Sequence, residues 1–381
     1  MSGAGRSGPG EPAGNARTGP ERAAGESRLD AVRALAAAHG CDAALVTDPC
    51  DVAWACGFTG SNGVLVVTET AAHLATDGRY RTQAADETRG ATVHVTQEPL
   101  PAFVGAAGLL GAARRVVVQG DRLTVSGHAA SAAACPAAAF VPADALLAHA
   151  RAAKTEAEIA AVGRAQALTC EVLLSVLPLV RAGVTEHEVA AELVVRHLRA
   201  GCSAMSFEPI VASGARGALP HARPSDKRIE AGDLVVIDVG GVLGGFCSDL
   251  TRTVAVGEPG DEARRAYAAV GAAQTAGIAA IRTGVSGATA DAAARAVLDA
   301  AGLGEAFSHS LGHGVGTEVH EWPRLSGQVD HRLPAGATVT VEPGVYLPGR
   351  FGIRTEDVVA VRDGGAENLT PLSAALAVLD P

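Results

Sequence analysis

The chain has 381 residues and a formal net charge of −10. That length accommodates two domains and a large core, the 48% hydrophobic content excludes a disordered chain, and the acidic balance excludes a general binder of the nucleic-acid backbone. The cysteines at 41, 50, 56, 135, 170, 202 and 247 include no CxxC pair, so they read as reduced thiols of a cytosolic protein. No uncharged apolar run of about 18 residues marks a membrane span.

Residues 1–27 are rich in Gly, Pro and charge without an apolar core segment. They read as a disordered tail rather than a secretory signal. Residues 28–40 show helical periodicity that stops at Gly40. "CDAALVTD", "GVLVVTE" and "AAHLATD" follow as strands, "RYRTQAADETRG" as a helix, and "ATVHV" and "RRVVVQG" as further strands. The alternation runs to about Leu147 and describes an α/β domain of roughly 120 residues over 28–149. A second domain is expected over 150–381. It opens with a long amphipathic helix over 150–180, in which Thr155 and Glu158 form a capping box. A second helix carries the same device at Thr185 and Glu188. Strands dominate from 206 onward, broken by helices over 260–282 and 287–302.

An internal repeat organises this second domain. "AGDLVVID" (231–238) recurs as "AGATVTVE" (335–342), and "SDLTRTVAV" (248–256) has a counterpart in "RTEDVVAV" (354–361). Each copy reads strand, acid, turn, acid, strand, so two similar halves place Asp238, Asp249, Glu342 and Glu356 symmetrically. Asp238 lies inside an apolar run, where an ionised carboxylate is costly unless paired or bound to a metal. A two-residue turn centred near 243–244 predicts Asp238 and Asp249 directly opposite each other, with Cβ atoms about 5 Å apart. A divalent cation between them removes the repulsion. His313, flanked by Gly312 and Gly314, stands clear of its backbone as a fifth ligand. Four carboxylates and one imidazole form a hard, mainly oxygen set, too acidic for one zinc ion and suited to two divalent ions sharing carboxylates. Such a pair activates water and polarises a carbonyl.

The segments "DVGG…SDLTRT", "SHSLGHGVGTEVHE", "EPGVY" and "GIRTED" resemble the pita-bread metallopeptidases, the group of Xaa-Pro aminopeptidases, Xaa-Pro dipeptidases (prolidases) and methionine aminopeptidases. The resemblance covers about 150–375. "GFTGSNGVLVVT" with "DGRY" downstream is similar to the creatinase-type N-terminal domain of the proline-specific members. The implied fold class is α+β: a creatinase-like α/β domain followed by a pita-bread catalytic domain with a pseudo-twofold repeat. The resemblance implies that Asp238 binds one ion, that His313 and Glu342 bind the other, and that Asp249 and Glu356 bridge. The implied metal is Mn, with Co, Zn or Fe as alternatives. Glu342 is also the implied proton shuttle. His221 is implied to donate near the scissile bond, His320 to stabilise the oxyanion or hold the substrate carbonyl, and His309 to line the proline pocket. Arg354 is implied to orient Glu356 or anchor a substrate carboxylate.

The implied activity is hydrolysis of the Xaa–Pro bond at the N-terminus of peptides by a water activated between the metals, with Xaa-Pro dipeptidase activity as the alternative. The partners expected are peptides with proline at the second position and a second copy of the chain, in the cytoplasm, with neither nucleic acid nor membrane. Phe246, Arg216 and Thr317 depart from the family pattern without touching a ligand. The N-terminal domain weighs against a methionine aminopeptidase. The five retained ligand-type residues weigh against metal-free creatinase chemistry and against a silent binding protein.

Overall fold

The computed structural model describes residues 19–381, with side chains from Arg28 onward. The tail expected over 1–27 lies outside the described residues as far as 18; helix α1 begins at Gly19 and runs to Ala38. The described residues divide into two compact units, the first ending at Leu147 and the second spanning 148–381.

The first unit is a six-stranded sheet of β1 (Ala43–Val46), β2 (Gly63–Thr68), β3 (Ala72–Asp77), β4 (Thr92–Thr96), β5 (Arg115–Gln119) and β6 (Ala139–Ala143) in the order β4-β3-β2-β1-β5-β6. The β1–β2 and β2–β3 pairs are antiparallel and the others parallel. Its apolar runs follow from burial on both faces. Leu65 and Val67 enter one core, and Val64 and Val66 enter the other, as a two-residue side-chain period requires.

The second unit repeats one plan twice. Helices Glu156–Val176 and Glu186–Arg199 cover a four-stranded sheet built around Leu234–Val239 and Leu250–Val256. Helices Asp261–Ala280 and Gly287–Ala300 cover a five-stranded sheet built around Thr338–Val341 and Asp357–Arg362. Both capping boxes, Thr155 with Glu158 and Thr185 with Glu188, form as the sequence predicts. The segment Glu156–Leu179 is long and apolar enough to cross a membrane by length and composition. Here Val162, Leu173 and Val176 are fully buried in the protein.

The hairpin register differs from expectation. The turn is the pair Gly244–Gly245, both with positive φ (59° and 84°), as a tight two-residue hairpin turn needs. It pairs Leu243 with Phe246 and Asp238 with Thr251. Asp249 is therefore two residues along from Asp238's partner, on the same face, rather than directly opposite. In the second half, the pairs Val341–Asp357 and Gly344–Arg354 share one register, which brackets Glu342 and Glu356 as opposite positions.

Candidate metal centre

The two half-sheets meet at the acids. The carbonyl of Thr251, opposite Asp238, accepts from the Glu356 amide (3.1 Å), and its hydroxyl donates to Glu356 Oε2 (2.8 Å). Thr253 exchanges hydrogen bonds with the Arg354 backbone at 3.0 and 3.1 Å. This seam lets strands from both repeats present acids to one pocket of about 440 Å³. Asp238, Asp249, His313, Glu342 and Glu356 all line it, as do His221, His309, His320 and Arg354.

Ligand atoms of Asp249, His313 and Glu356 lie within 4.8 Å of one another. His313 Nε2 is 3.3 Å from Glu342 Oε1 and 3.6 Å from Asp249 Oδ2. Its Nδ1 donates to the Gly314 carbonyl at 3.0 Å. That bond fixes the tautomer and turns Nε2 toward the acids, the usual outer-shell support of a ligating imidazole. The flanking glycines have a second cause: a Cβ at Gly312 would lie 2.0 Å from the Thr340 carbonyl oxygen. Asp238 Oδ2 takes a 2.6 Å bond from Arg354, while its buried Oδ1 has no hydrogen-bond partner among the described residues.

The resemblance implies that Arg354 orients Glu356 or anchors a substrate carboxylate. Its guanidinium is buried and hydrogen-bonds Asp238, Thr251 Oγ1 (3.2 Å), Tyr346 Oη (2.8 Å) and the Pro220 carbonyl (3.2 Å). His309 is likewise engaged at both ring nitrogens, by the Ser310 carbonyl and Tyr346 Oη, each at 2.8 Å. Only its ring face is left for the pocket. His320 stacks edge-on to His313, with centroids 4.4 Å apart, and His221 is exposed where it lines the pocket.

Burial raises Asp238 and, with the neighbouring carboxylates, pushes Asp249 and Glu356 well above the usual range. Burial also works against ionisation of Glu342, but the His313 hydrogen bond and charge outweigh it and hold Glu342 at about 2. Three acids in tension around one imidazole, with an orphaned oxygen on Asp238, fit a site built for cations. A cation must displace the protons that the raised acids favour. Lowering pH through their elevated range therefore weakens metal binding. The thermal stabilisation on adding a divalent cation such as Mn is expected to be smaller at acidic than at neutral pH, checked by melting scans at matched metal concentration.

Tyr346 and Arg324 escaped the sequence reading. Tyr346 lies two and four residues beyond Gly344 and Glu342, a same-face spacing in a strand. Arg324 pairs directly with His313 across the Gly312–Gly314 and Glu321–Leu325 strands and lines the pocket.

The chain belongs to metallopeptidase family M24, whose model matches residues 160–363. A Creatinase/Prolidase N-terminal domain model matches residues 28–153. Divalent metal ions go with that family. The chain is 36% identical to a Bacillus subtilis protein described as an uncharacterized peptidase, YqhT, over 92% of this chain and 99% of the other. Among solved structures it is similar to an Xaa-Pro dipeptidase from Bacillus anthracis (TM-score 0.91, 36% identity, covering 93% of this chain and 100% of that one). It is also similar to an X-Pro aminopeptidase from Thermotoga maritima (TM-score 0.84, 35% identity, covering 89% and 98%). The fold is therefore the creatinase-type N-terminal domain followed by the pita-bread catalytic domain.

Proposed function

We propose that this enzyme hydrolyses the peptide bond between an N-terminal residue and a following proline. The observation that carries the reading is the convergence of five ligand-type side chains on one pocket that also presents His221 and His320. Asp238 would hold one divalent ion, His313 and Glu342 the second, with Asp249 and Glu356 serving both. Mn is the proposed metal, with Co, Zn or Fe as alternatives. When bound, the ions supply an acidified water and polarise the scissile carbonyl.

The chain's own groups do the rest. Glu342, ionised at neutral pH, takes the proton from the attacking water and delivers it to the proline nitrogen as the C–N bond breaks. Its hydrogen bond from Thr340 Oγ1 (3.3 Å) helps fix the carboxylate. His320, lowered by burial and by His313 beside it, is neutral and donates an N–H to the carbonyl oxygen as negative charge develops. His221 donates from the opposite wall. The His309 ring face borders the proline ring, and Arg354 acts by holding Asp238. Proline needs a dedicated site because its peptide bond has no N–H and its ring fixes φ.

Exposed Arg223 and Glu208 rim the pocket, an opening that admits peptides longer than two residues and favours aminopeptidase activity. A specific observation supports dipeptidase activity as the second reading: Arg324, opposite His313 and exposed, has no side-chain partner among the described residues and offers its guanidinium to a C-terminal carboxylate. Cleavage rates on an Ala-Pro dipeptide and an Ala-Pro-Ala tripeptide decide between them. The primary reading expects the tripeptide to be cut, with Arg324→Ala leaving it within a few-fold. Cleavage of the dipeptide alone, lost with Arg324→Ala, establishes the second. The same reading takes 28–149 and 150–381 as domains, the enzyme as a cytoplasmic homodimer, and its partners as peptides rather than nucleic acid or membrane.

A further inference from the structure

His221 has a feature its role does not explain. It sits on a loop between the strand Ile210–Ser213 and Ser225 that opens with a 3₁₀ turn over Gly214–Ala218, and a side chain from a helix holds both ends of that loop. Glu186, the first residue of helix Glu186–Arg199, is fully buried. Its Oε1 accepts from the Ser213 amide (2.8 Å) and hydroxyl (2.9 Å). Its Oε2 accepts from Arg216 Nε (2.9 Å) and from the Ser225 amide (3.1 Å) and hydroxyl (2.7 Å). Arg216 passes the restraint on, donating to the Arg223 carbonyl at 2.6 Å.

The helix does not need this carboxylate for its own cap. Thr185 and Glu188 already complete the capping box there. Glu186 is thus free to serve the loop, with the helix N-terminus favouring its charge. The loop's inner side is tied to the metal centre, where the Pro220 carbonyl accepts from Arg354. Against the neighbouring strand the loop has no slack: a Cβ at Gly352 would lie 1.8 Å from the Gly217 carbonyl oxygen.

We propose that Glu186 is a positioning residue that clamps the 213–225 loop and so sets His221 against the substrate. The inference rests on the reading of His221 as a substrate-facing group. A carboxylate is required because five donors converge on two oxygens. Glutamine offers one acceptor oxygen and turns an NH₂ toward the remaining donors, so Glu186→Gln frees the loop with little change in volume.

The test uses the full-length, Mn-loaded enzyme. Hydrogen exchange of residues 214–223 is expected to quicken about tenfold in Glu186→Gln, with residues 308–325 unchanged. The value of kcat/KM on Ala-Pro-Ala is expected to fall about 100-fold with bound metal unchanged. The double variant Glu186→Gln/His221→Ala is expected to match His221→Ala alone, because both changes act through one side chain. Ser225→Ala, which removes one donor, is expected to move both readouts the same way by less and serves if Glu186→Gln does not fold. Unchanged exchange in 214–223, or losses that multiply in the double variant, overturns the proposal. Full activity of His221→Ala instead removes the reading of His221 and with it the catalytic consequence of the clamp, while the exchange result still decides whether Glu186 holds the loop.

Discussion

Asp249→Ala is expected to lower hydrolysis of Xaa-Pro peptides by about 10³-fold or more, because it removes a carboxylate that both proposed ions share and with it several kcal/mol of transition-state stabilisation. The fold is expected to survive. Gln166 holds the Asp249 backbone, accepting from its amide at 3.1 Å and donating to its carbonyl at 2.8 Å, and neither bond involves the carboxylate. Without metal the variant is expected to be at least as stable as the parent. Asp249 is a buried acid raised by its own burial and by Glu356, Asp238 and Glu342, so its removal relieves repulsion. The stabilisation gained on adding Mn should largely vanish. Melting scans with and without Mn, together with metal content per chain, check this; unchanged turnover contradicts a shared-carboxylate mechanism.

Arg354→Ala carries the second large effect, on stability as well as rate. Arg354 is 3% exposed, and its 2.6 Å bond to Asp238 is one of four side-chain hydrogen bonds. Its loss leaves Asp238 buried beside three other acids without its cationic partner, so the carboxyl must take a proton or stay unpaired, at a cost of up to about 3–5 kcal/mol. The metal-free melting temperature is expected to fall by about 5–15 °C. Added Mn should recover part of this, because a cation at Asp238 replaces the missing positive charge. A metal-free variant as stable as the parent contradicts the placement of Arg354 as the partner of Asp238. Arg354→Lys tests geometry separately from charge. A point charge cannot span Asp238, Thr251, Tyr346 and Pro220, so partial stability without full activity is expected.

The parts of this site legible in the sequence were those set by local pattern. The repeat of strand, acid, turn and acid located all four carboxylates, and Gly312 and Gly314 marked His313. Turn chemistry was legible in kind but not in place: "LGGF" admits a centre on either side of Gly244, and one residue's difference moves Asp238 from Asp249 to Thr251. The direction of Arg354 was not legible. Its partner Asp238 lies 116 positions away and is reached only when the two half-sheets meet. Arg324 was hidden for a related reason, since its pairing with His313 depends on an irregular register between the strands. In the first unit, the helices Leu100–Ala106 and Val125–Ala134 are short or alanine-rich and show little periodicity. The strand Ala139–Ala143 carries Pro142, a residue that weakens a strand reading and is tolerated here because the strand is at the sheet edge.

The central claim is that carboxylates from two repeated half-sheets hold a pair of divalent ions for cleavage before proline. Titration of Mn into metal-stripped enzyme, following bound metal and Ala-Pro-Ala hydrolysis together, tests it most directly. The account predicts no turnover without metal, rising activity to about two ions per chain, and no cleavage of an Ala-Ala-Ala control. Full turnover in the stripped enzyme, or metal-restored cleavage of the control in place of the proline peptide, would contradict it.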